Sequence, residues 1–493
     1  RHEIGVPDPD LHDRLQAMEI GIDESPSLPA LVERMRVVFD HESETASARA
    51  ARLMGQLYGE LDKAGMETSQ ATQFLGRLLF LWFGDDTDMW QKDAFHNWLV
   101  EHTSSENLSA KFEELFNALN DPALDRPDTN ATYAGEFRGL RYINGSLFAY
   151  HLEIPKLPAK FRDQVLEACQ FDWSIISPAI FGSMFQTVKD SKARREMGEH
   201  YTSESNILKT LRPLLLDQLE EKLQASWDDK GQLTKLHNRL AKIRILDPAC
   251  GCGNFLIVAY KELRALELRL ISRRRDLDRI EGIHKTEHQP RLQADGMEDT
   301  VVRMSHFAGI EIEEWPATIA STAMLLVDHL ANQRMAEELG ISVVRLPIDD
   351  HNRVNIRVGN ALRIPWESIF VPSPNVYIMG NPPFIGQYTK DVNQKEDMQL
   401  VWADQYSGYL DYVTGWYKKA ADYFQLSPQG QFAFVSTNSI AQGEPVTALF
   451  QPLFDKGWRI FFAHQTFAWT SEAPGQAAVH VVIVGLEKGK TST

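Results

Sequence analysis

From about residue 170 onward, short β-branched and aromatic runs alternate with helical ones, and this alternation restricts the possible fold more than any other feature. The runs KIRILD, SHFAGIEI, VNIRVGN, NVYIMGN, QFAFVSTN and HVVIVGL read as strands. Between them, stretches such as GNFLIVAYKELRALEL and WPATIASTAMLLVDHLA carry apolar residues at three-and-four spacing, the period of a helix. Strands that alternate with helices build a mostly parallel twisted sheet covered on both faces, and such sheets bind ligands at the carboxyl ends of their strands. The polar stretch from Ser272 to Arg303 reads as an insertion between the first helix and the second strand.

The preceding residues differ in texture. Residues 28 to about 120 read helical, and Phe80, Trp82, Phe83 and Trp90 suit the core of a helix bundle. The polar patch NDPALDRPDTN then marks a boundary. Beyond it, Asn144-Gly145 between the apolar runs of RYINGSLFAYHLEI predicts a β-hairpin. The expected organisation is a helical domain over 1–125, a β-hairpin connector over 126–170 and an α/β domain over 171–493. A chain of 493 residues has room for two or three domains. Its first residue is Arg1 rather than Met, as expected of a piece of a longer polypeptide.

The net charge of -17 argues against a protein that coats nucleic acid with a basic surface. It leaves room for a DNA enzyme with local cationic groups, such as Lys192-Ala-Arg194-Arg195 or Arg273–Arg275. Three cysteines give no disulfide framework, and Cys250-x-Cys252 lacks the usual zinc spacing, so the pair reads as small loop residues and no metal is expected. Together with the lack of a membrane-length apolar run, this leads to the expectation of a cytoplasmic protein.

The stretch ILDPACGCGNFLIVAY places Asp247 at a strand end, then Gly251 and Gly253, then a helix. A dinucleotide fingerprint fails, because Leu256 stands where a third small residue is needed. A P-loop fails too, since no Lys-Ser/Thr follows. The run GLEKGKT from Gly485 to Thr491 is one residue short of a phosphate loop and has no helix after it. What remains is an acid followed by Gly-x-Gly. It offers a carboxylate rather than a phosphate cradle, which suits a ligand with a cationic amino-acid portion such as S-adenosylmethionine. Glu311 closes the second strand, where nucleotide-binding sheets place the carboxylate that accepts ribose hydroxyls. The gap from Gly253 is 58 residues (311 − 253) and requires the insertion. Glu313 and Glu314 compete for the role. Asn360, at the third strand's end, offers a donor and an acceptor to an adenine edge.

The fourth strand ends in Asn381-Pro382-Pro383-Phe384. An exocyclic amino group is a poor nucleophile because its lone pair is delocalised into the ring. Two acceptors that grip its hydrogens would draw the nitrogen toward tetrahedral geometry. The Asn381 side-chain oxygen and the Pro382 carbonyl suit that task, and the prolines remove competing N–H donors. Phe384 offers a face for a stacked base, worth about 1–3 kcal/mol. A base inside a duplex must be flipped out to reach such a pocket.

These residues carry a family resemblance. DPACGCGNF, GIEIEE, VGNAL and GNPPF, in that order, resemble the amino-methyltransferases of DNA. Ahead of them, Gly198-Glu199-His200-Tyr201-Thr202-Ser203 is similar to the segment that closes over the methionine end of the cofactor in γ-ordered adenine-N6 enzymes. FGSMFQ followed by RREMGEHYTSESNI resembles the MmeI-like restriction-modification enzymes, in which a nuclease, a helical spacer, the methyltransferase and a target-recognition domain share one polypeptide. The resemblance covers about residues 175–485 with specific motifs and the N-terminal helices only loosely.

It implies a Rossmann-like class I methyltransferase domain preceded by an α-helical spacer, acting on double-stranded DNA. It implies S-adenosylmethionine bound by Tyr201, Thr202, Asp247, Pro248, Ala249, Gly251, Gly253, Glu311, Ile312, Asn360 and Ala361. The target adenine would be held by Asn381, Pro382, Pro383 and Phe384, with Phe467 or Trp469 as a second stacking wall. Two features depart from the pattern. The chain stops shortly after HVVIVGL, with nothing left for a recognition domain, and no nuclease constellation stands at its start. It is therefore read as the spacer and methyltransferase parts of a larger enzyme. Methylation of a protein glutamine, methylation of cytosine N4, and a non-catalytic scaffold positioning DNA for a nuclease are the alternatives.

Overall fold

The alternation yields one seven-stranded sheet. Its strands are β1 (Arg244–Asp247), β2 (Phe307–Glu311), β3 (Asn355–Val358), β4 (Val376–Gly380), β5 (Gly430–Thr437), β6 (Trp458–Trp469) and β7 (Val479–Lys488), in the order β3-β2-β1-β4-β5-β7-β6. The first five are parallel, and β7 runs antiparallel to both β5 and β6. This is a computed structural model that describes residues 49–125, 136–137, 139–143, 147–176, 204–281, 300–340, 353–469 and 479–489. The described residues lie within one unit, Ala48–Thr493.

Central strands buried on both faces read as unbroken apolar runs, and VYIMG of β4 is buried throughout. At the sheet edge, β3 is mostly exposed. One face is covered by α8 (Asn254–Glu281) and α9 (Glu314–Leu339). The helices α10 (Val392–Trp402), α11 (Thr414–Tyr423) and α12 (Glu444–Phe454) contribute Trp402, Trp416, Tyr417 and Phe450 to a core shared with Ile378, Phe432 and Phe434. Ahead of β1, α5 (Glu204–Leu211) runs through a π-turn at Arg212–Leu216 into α6 (Asp217–Ala225), followed by α7 (Lys230–Leu240). Pro213 lacks the N–H that a regular α-turn would use there.

Three details depart from the sequence expectations. Strand β6 was not anticipated. Two register shifts, between Ile460 and Phe462 and between His464 and Phe467, break its inward–outward alternation. Gly485 lies inside its partner β7, where an added Cβ would come within 2.1 Å of the Phe462 ring. Second, the supposed insertion begins ten residues later than Ser272, because α8 continues to Glu281. Leu268 and Ile271 pack against Met335 of α9, and Arg273 donates to the Trp227 carbonyl at 2.9 Å, which holds this polar-looking extension as helix.

The third departure is the hairpin. Its described flanks, 141–143 and 147–154, are irregular rather than strands, while Asn144-Gly145 lie outside the described residues. The backbone there serves another partner: the buried Arg77 guanidinium donates to the carbonyls of Leu147, at 2.8 Å, and Tyr150, at 2.5 Å. The connector also contains a helix, α4 (Ala159–Ala168).

The helical region comprises a helix over 49–63, α1 (Thr68–Asp86), α2 (Ala94–His102) and α3 (Leu108–Leu119). Phe80, Trp82, Phe83 and Trp90 are all buried in it. Phe74 packs edge-on against Phe112, with ring centroids 5.0 Å apart. This region docks on α9. The Thr87 carbonyl accepts hydrogen bonds from His329 Nε2 at 2.6 Å and Gln333 Nε2 at 2.5 Å, and the Tyr150 hydroxyl donates to Glu314 at the helix start.

Candidate functional site

The strand order reverses between β1 and β4, and a crevice opens at the carboxyl ends of parallel strands at such a point. Asp247 ends β1 there and is 1% exposed. Its Oδ1 accepts the Ala249 N–H at 3.0 Å, while its buried Oδ2 accepts no hydrogen bond from any described residue. The carboxylate lies over Gly380, the last residue of β4, where an added Cβ would fall 2.3 Å from Oδ1. The acid of the glycine loop is therefore separated from Asn381 by one residue without a side chain. Burial, reinforced by the nearby Glu311 charge, pushes the Asp247 carboxyl up to about 8.

The glycine loop owes its course to two positions. Gly253, at φ +87°, lets α8 approach α9 so closely that a Cβ would sit 2.9 Å from that of Ala320. Gly251, at φ +53°, faces open space, with nothing within 4 Å of an added Cβ. Cys250 is buried against Gly309, in keeping with a packing role.

Glu311 ties the end of β2 to this loop. Its Oε2 accepts the Gly251 N–H and its Oε1 accepts the Glu313 N–H, both at 3.0 Å. Of the three neighbouring acids, Glu311 faces the loop; Glu313 precedes α9, and Glu314 meets Tyr150. Beside it, Ile312 is 66% exposed, an unusual position for a large apolar side chain. Asn360 follows β3 with both ends of its amide engaged. Its Oδ1 accepts the Leu362 N–H at 2.9 Å and its Nδ2 donates to Asp397 at 2.7 Å, so the group expected to read an adenine edge holds a turn here. Ala361 is buried behind it.

After β4, Pro382 is buried while Asn381, Pro383 and Phe384 are half-buried, and Phe384 leans on the main core. The Ile385 N–H donates to Asp411 Oδ1 at 3.2 Å, and its carbonyl accepts the Tyr412 N–H at 3.0 Å. The Pro248 carbonyl of the glycine loop accepts from Trp416 Nε1 at 2.9 Å. Asp397, Asp411, Tyr412 and Trp416 were not found by sequence reasoning. Their periodicity shows core-facing helices and carries no sign of which loops their polar atoms reach.

Asp247, Pro248, Ala249, Gly251, Gly253, Glu311, Ile312, Asn360 and Ala361 thus lie on the ends of β1, β2 and β3, adjacent in the sheet, with the Asn381 loop on the next strand. Tyr201 and Thr202 lie outside the described residues. Phe467 is on β6 with the Lys209 ammonium 4.2 Å from its ring centre, and the side chain of Trp469 is outside the described set. The unpartnered Asp247 Oδ2, the open side of Gly251 and the exposed Ile312 suit a ligand that brings a cation or donors to the first and an apolar face to the last. Such an arrangement fits S-adenosylmethionine.

Comparison with known proteins points the same way. Residues 223–493 match the family described as the MmeI DNA-methyltransferase domain, and residues 69–148 match the MmeI helicase spacer domain. DNA methyltransferase A of Bacillus subtilis (strain 168) is 35% identical over 460 residues, which cover 91% of this chain and 50% of that protein. A putative type II restriction enzyme and methyltransferase of Methanocaldococcus jannaschii is 24% identical over 356 residues, 62% of this chain and 28% of that one. The chain thus spans half the length of the first relative and less of the second. The type IIL restriction-modification enzyme MmeI, solved in complex with DNA, superposes with a TM-score of 0.78 at 39% identity, covering 90% of this chain and 57% of that one.

Proposed function

The chain belongs to the MmeI DNA-methyltransferase family, and on that footing we propose that it methylates the N6 amino group of a flipped adenine in double-stranded DNA. The observation that carries this reading is the meeting of Asp247 with Gly380, which brings the acid of the glycine loop beside the Asn381-Pro382-Pro383-Phe384 loop at one switch point. The likeness to an enzyme solved with DNA supports DNA as the substrate. We further propose a restriction-modification enzyme with nuclease and target-recognition domains that works in the cytoplasm, a reading supported by the likeness to MmeI and to a putative type II restriction enzyme and methyltransferase. Among the described residues, no helix is long and apolar enough to cross a membrane.

When bound, S-adenosylmethionine supplies an electrophilic methyl group on a sulfonium. Asp247 would meet the cationic amino-acid end, Glu311 would accept the ribose hydroxyls, and Ile312 would cover a face of the adenine, beside the turn that Asn360 holds in front of Ala361. The family resemblance would assign Tyr201 and Thr202 to the methionine end. On the target side, Asn381 Oδ1 and the Pro382 carbonyl each accept one hydrogen of the amino group, and Phe384 stacks on the base. Held this way, the nitrogen would take the methyl group as its bond to sulfur breaks, and the cation so formed would need no strong base to lose its proton. Positioning and electrostatics do the rest.

The test is transfer of labelled methyl from S-adenosylmethionine to DNA by the protein at its natural length, with recovery of N6-methyladenine after nuclease digestion. Label in cytosine or in protein overturns the substrate assignment. In calorimetric titrations of this chain, Asp247→Ala should abolish cofactor binding and Asn381→Ala should retain it; the reverse pattern overturns the roles.

A further inference from the structure

The seven residues Leu410 to Trp416 reach three separate loops of the site, and adjacent side chains serve different sides of it. We propose that Asp411 is a positioning residue for the target-side loop, and that its neighbour Tyr412 independently tethers the cofactor side. The inference rests on the methyltransferase reading and adds residues that reading does not use.

The loop after β4 has an unusual backbone. Pro382 and Pro383 carry no N–H, so neither can donate a hydrogen bond that would fix this loop. Ile385 supplies an anchorage, and both of its backbone groups are taken by one dipeptide. Asp411 Oδ1 accepts the Ile385 N–H at 3.2 Å, and the Tyr412 N–H donates to the Ile385 carbonyl at 3.0 Å. The same Oδ1 accepts the Val413 N–H at 3.1 Å, and Oδ2 accepts from Thr437 Oγ1 at 3.4 Å, at the end of β5. Asp411 is 6% exposed. One buried carboxylate therefore binds the target loop, the start of α11 and the end of the adjoining strand together.

The Tyr412 side chain reaches the other way. Its hydroxyl donates to Asp397 Oδ2 at 2.8 Å, and that oxygen also accepts Asn360 Nδ2 at 2.7 Å, which sets the turn after β3. Four residues further on, inside α11, Trp416 Nε1 donates to the Pro248 carbonyl. Neighbouring residues with separate tethers should give separable defects, whereas residues that merely cap a helix should not.

Asp411→Ser makes the distinction. A serine hydroxyl can still accept the nearby Val413 N–H and start α11, but it is too short to hold Ile385 as well. With the protein at its natural length, plasmid DNA free of N6-methyladenine and tritiated-methyl cofactor, Asp411→Ser should lower kcat about tenfold or more while leaving calorimetric cofactor affinity unchanged. Asp411→Asn keeps the amide oxygen on both N–H groups, turns its NH2 to Thr437 and should restore transfer. Tyr412→Phe should weaken cofactor binding severalfold with kcat at saturating cofactor retained. Wild-type kcat in Asp411→Ser, or equal losses of kcat and cofactor affinity in both variants, overturns the proposal. Absence of methyl transfer by the wild-type protein would instead remove the functional reading beneath it.

Discussion

A methyl group added at position 380 should cripple the cofactor side of the site while leaving the sheet assembled. Gly380 closes β4, and an alanine Cβ there would lie 2.3 Å from Asp247 Oδ1 and 3.1 Å from its Cγ. Ordinary contact begins at 3.4 Å, so the carboxylate must retreat by about 1.1 Å (3.4 − 2.3). It has little freedom to do so, being 1% exposed and held at Oδ1 by the Ala249 N–H. Overpacking of this kind typically costs about 1–3 kcal/mol. If Asp247 yields, the cost appears as lost cofactor affinity, roughly 5- to 150-fold. If β4 yields, it appears as a lower unfolding temperature. Calorimetric titration with S-adenosylmethionine and thermal unfolding of Gly380→Ala separate the two, and the packing argument expects the first to dominate. Wild-type affinity together with a wild-type melting point would refute the claim that Asp247 packs on this glycine.

The other expectations concern charge. Burial holds the Asp247 carboxyl protonated up to about pH 8 in the ligand-free protein, against an unfolded value of 3.8. The empty protein should therefore lose stability from this group as the pH rises between those values, because the unfolded chain ionises first. A cationic ligand favours the carboxylate, so cofactor binding at neutral pH should release a proton and tighten toward pH 8; identical binding heats in buffers of different ionisation enthalpy would contradict this. Arg264, buried between α8 and α9, lies 3.4 Å from Glu267, 3.2 Å from Asp328 and 2.9 Å from the Asn332 side-chain oxygen. Arg264→Met removes the cation that two buried carboxylates share and should cost about 3–5 kcal/mol in urea denaturation; a loss below about 1 kcal/mol would show that their remaining donors, Val301 and Val302 for Glu267 and Tyr260 and Asn332 for Asp328, suffice.

Much of the site was legible because its residues fall at the ends of strands that read clearly. Asp247, Glu311, Asn360 and Asn381 follow apolar runs bounded by Gly, Asn or Pro, and a parallel sheet brings such ends to one edge. The order β3-β2-β1-β4 then places four distant segments side by side. What stayed hidden depends on contacts between distant residues. Arg77 occupies the Leu147 and Tyr150 carbonyls from 70 and 73 residues away, so a turn signal as strong as Asn-Gly did not yield described strands beside it. The bulges of β6 remove the period-2 pattern that would have revealed it. The tethers at Asp397, Asp411 and Tyr412 leave no trace in periodicity, because a helix-start aspartate looks the same whether it caps its own turn or grips a loop 26 residues away.

The docking of the helical region on α9 has a mechanical consequence. That helix has 26 residues, about 39 Å at 1.5 Å per residue, and begins three residues after Glu311. Tyr150 grips it at Glu314, while the Thr87 carbonyl grips it at His329 and Gln333, near its middle and beyond. Gripped at its first residue and again past its middle, α9 acts as a splint whose held tip follows directly on Glu311 and Ile312. A tilt imposed on the helical region is then a displacement of that tip, and the two regions share one alignment rather than possessing one each.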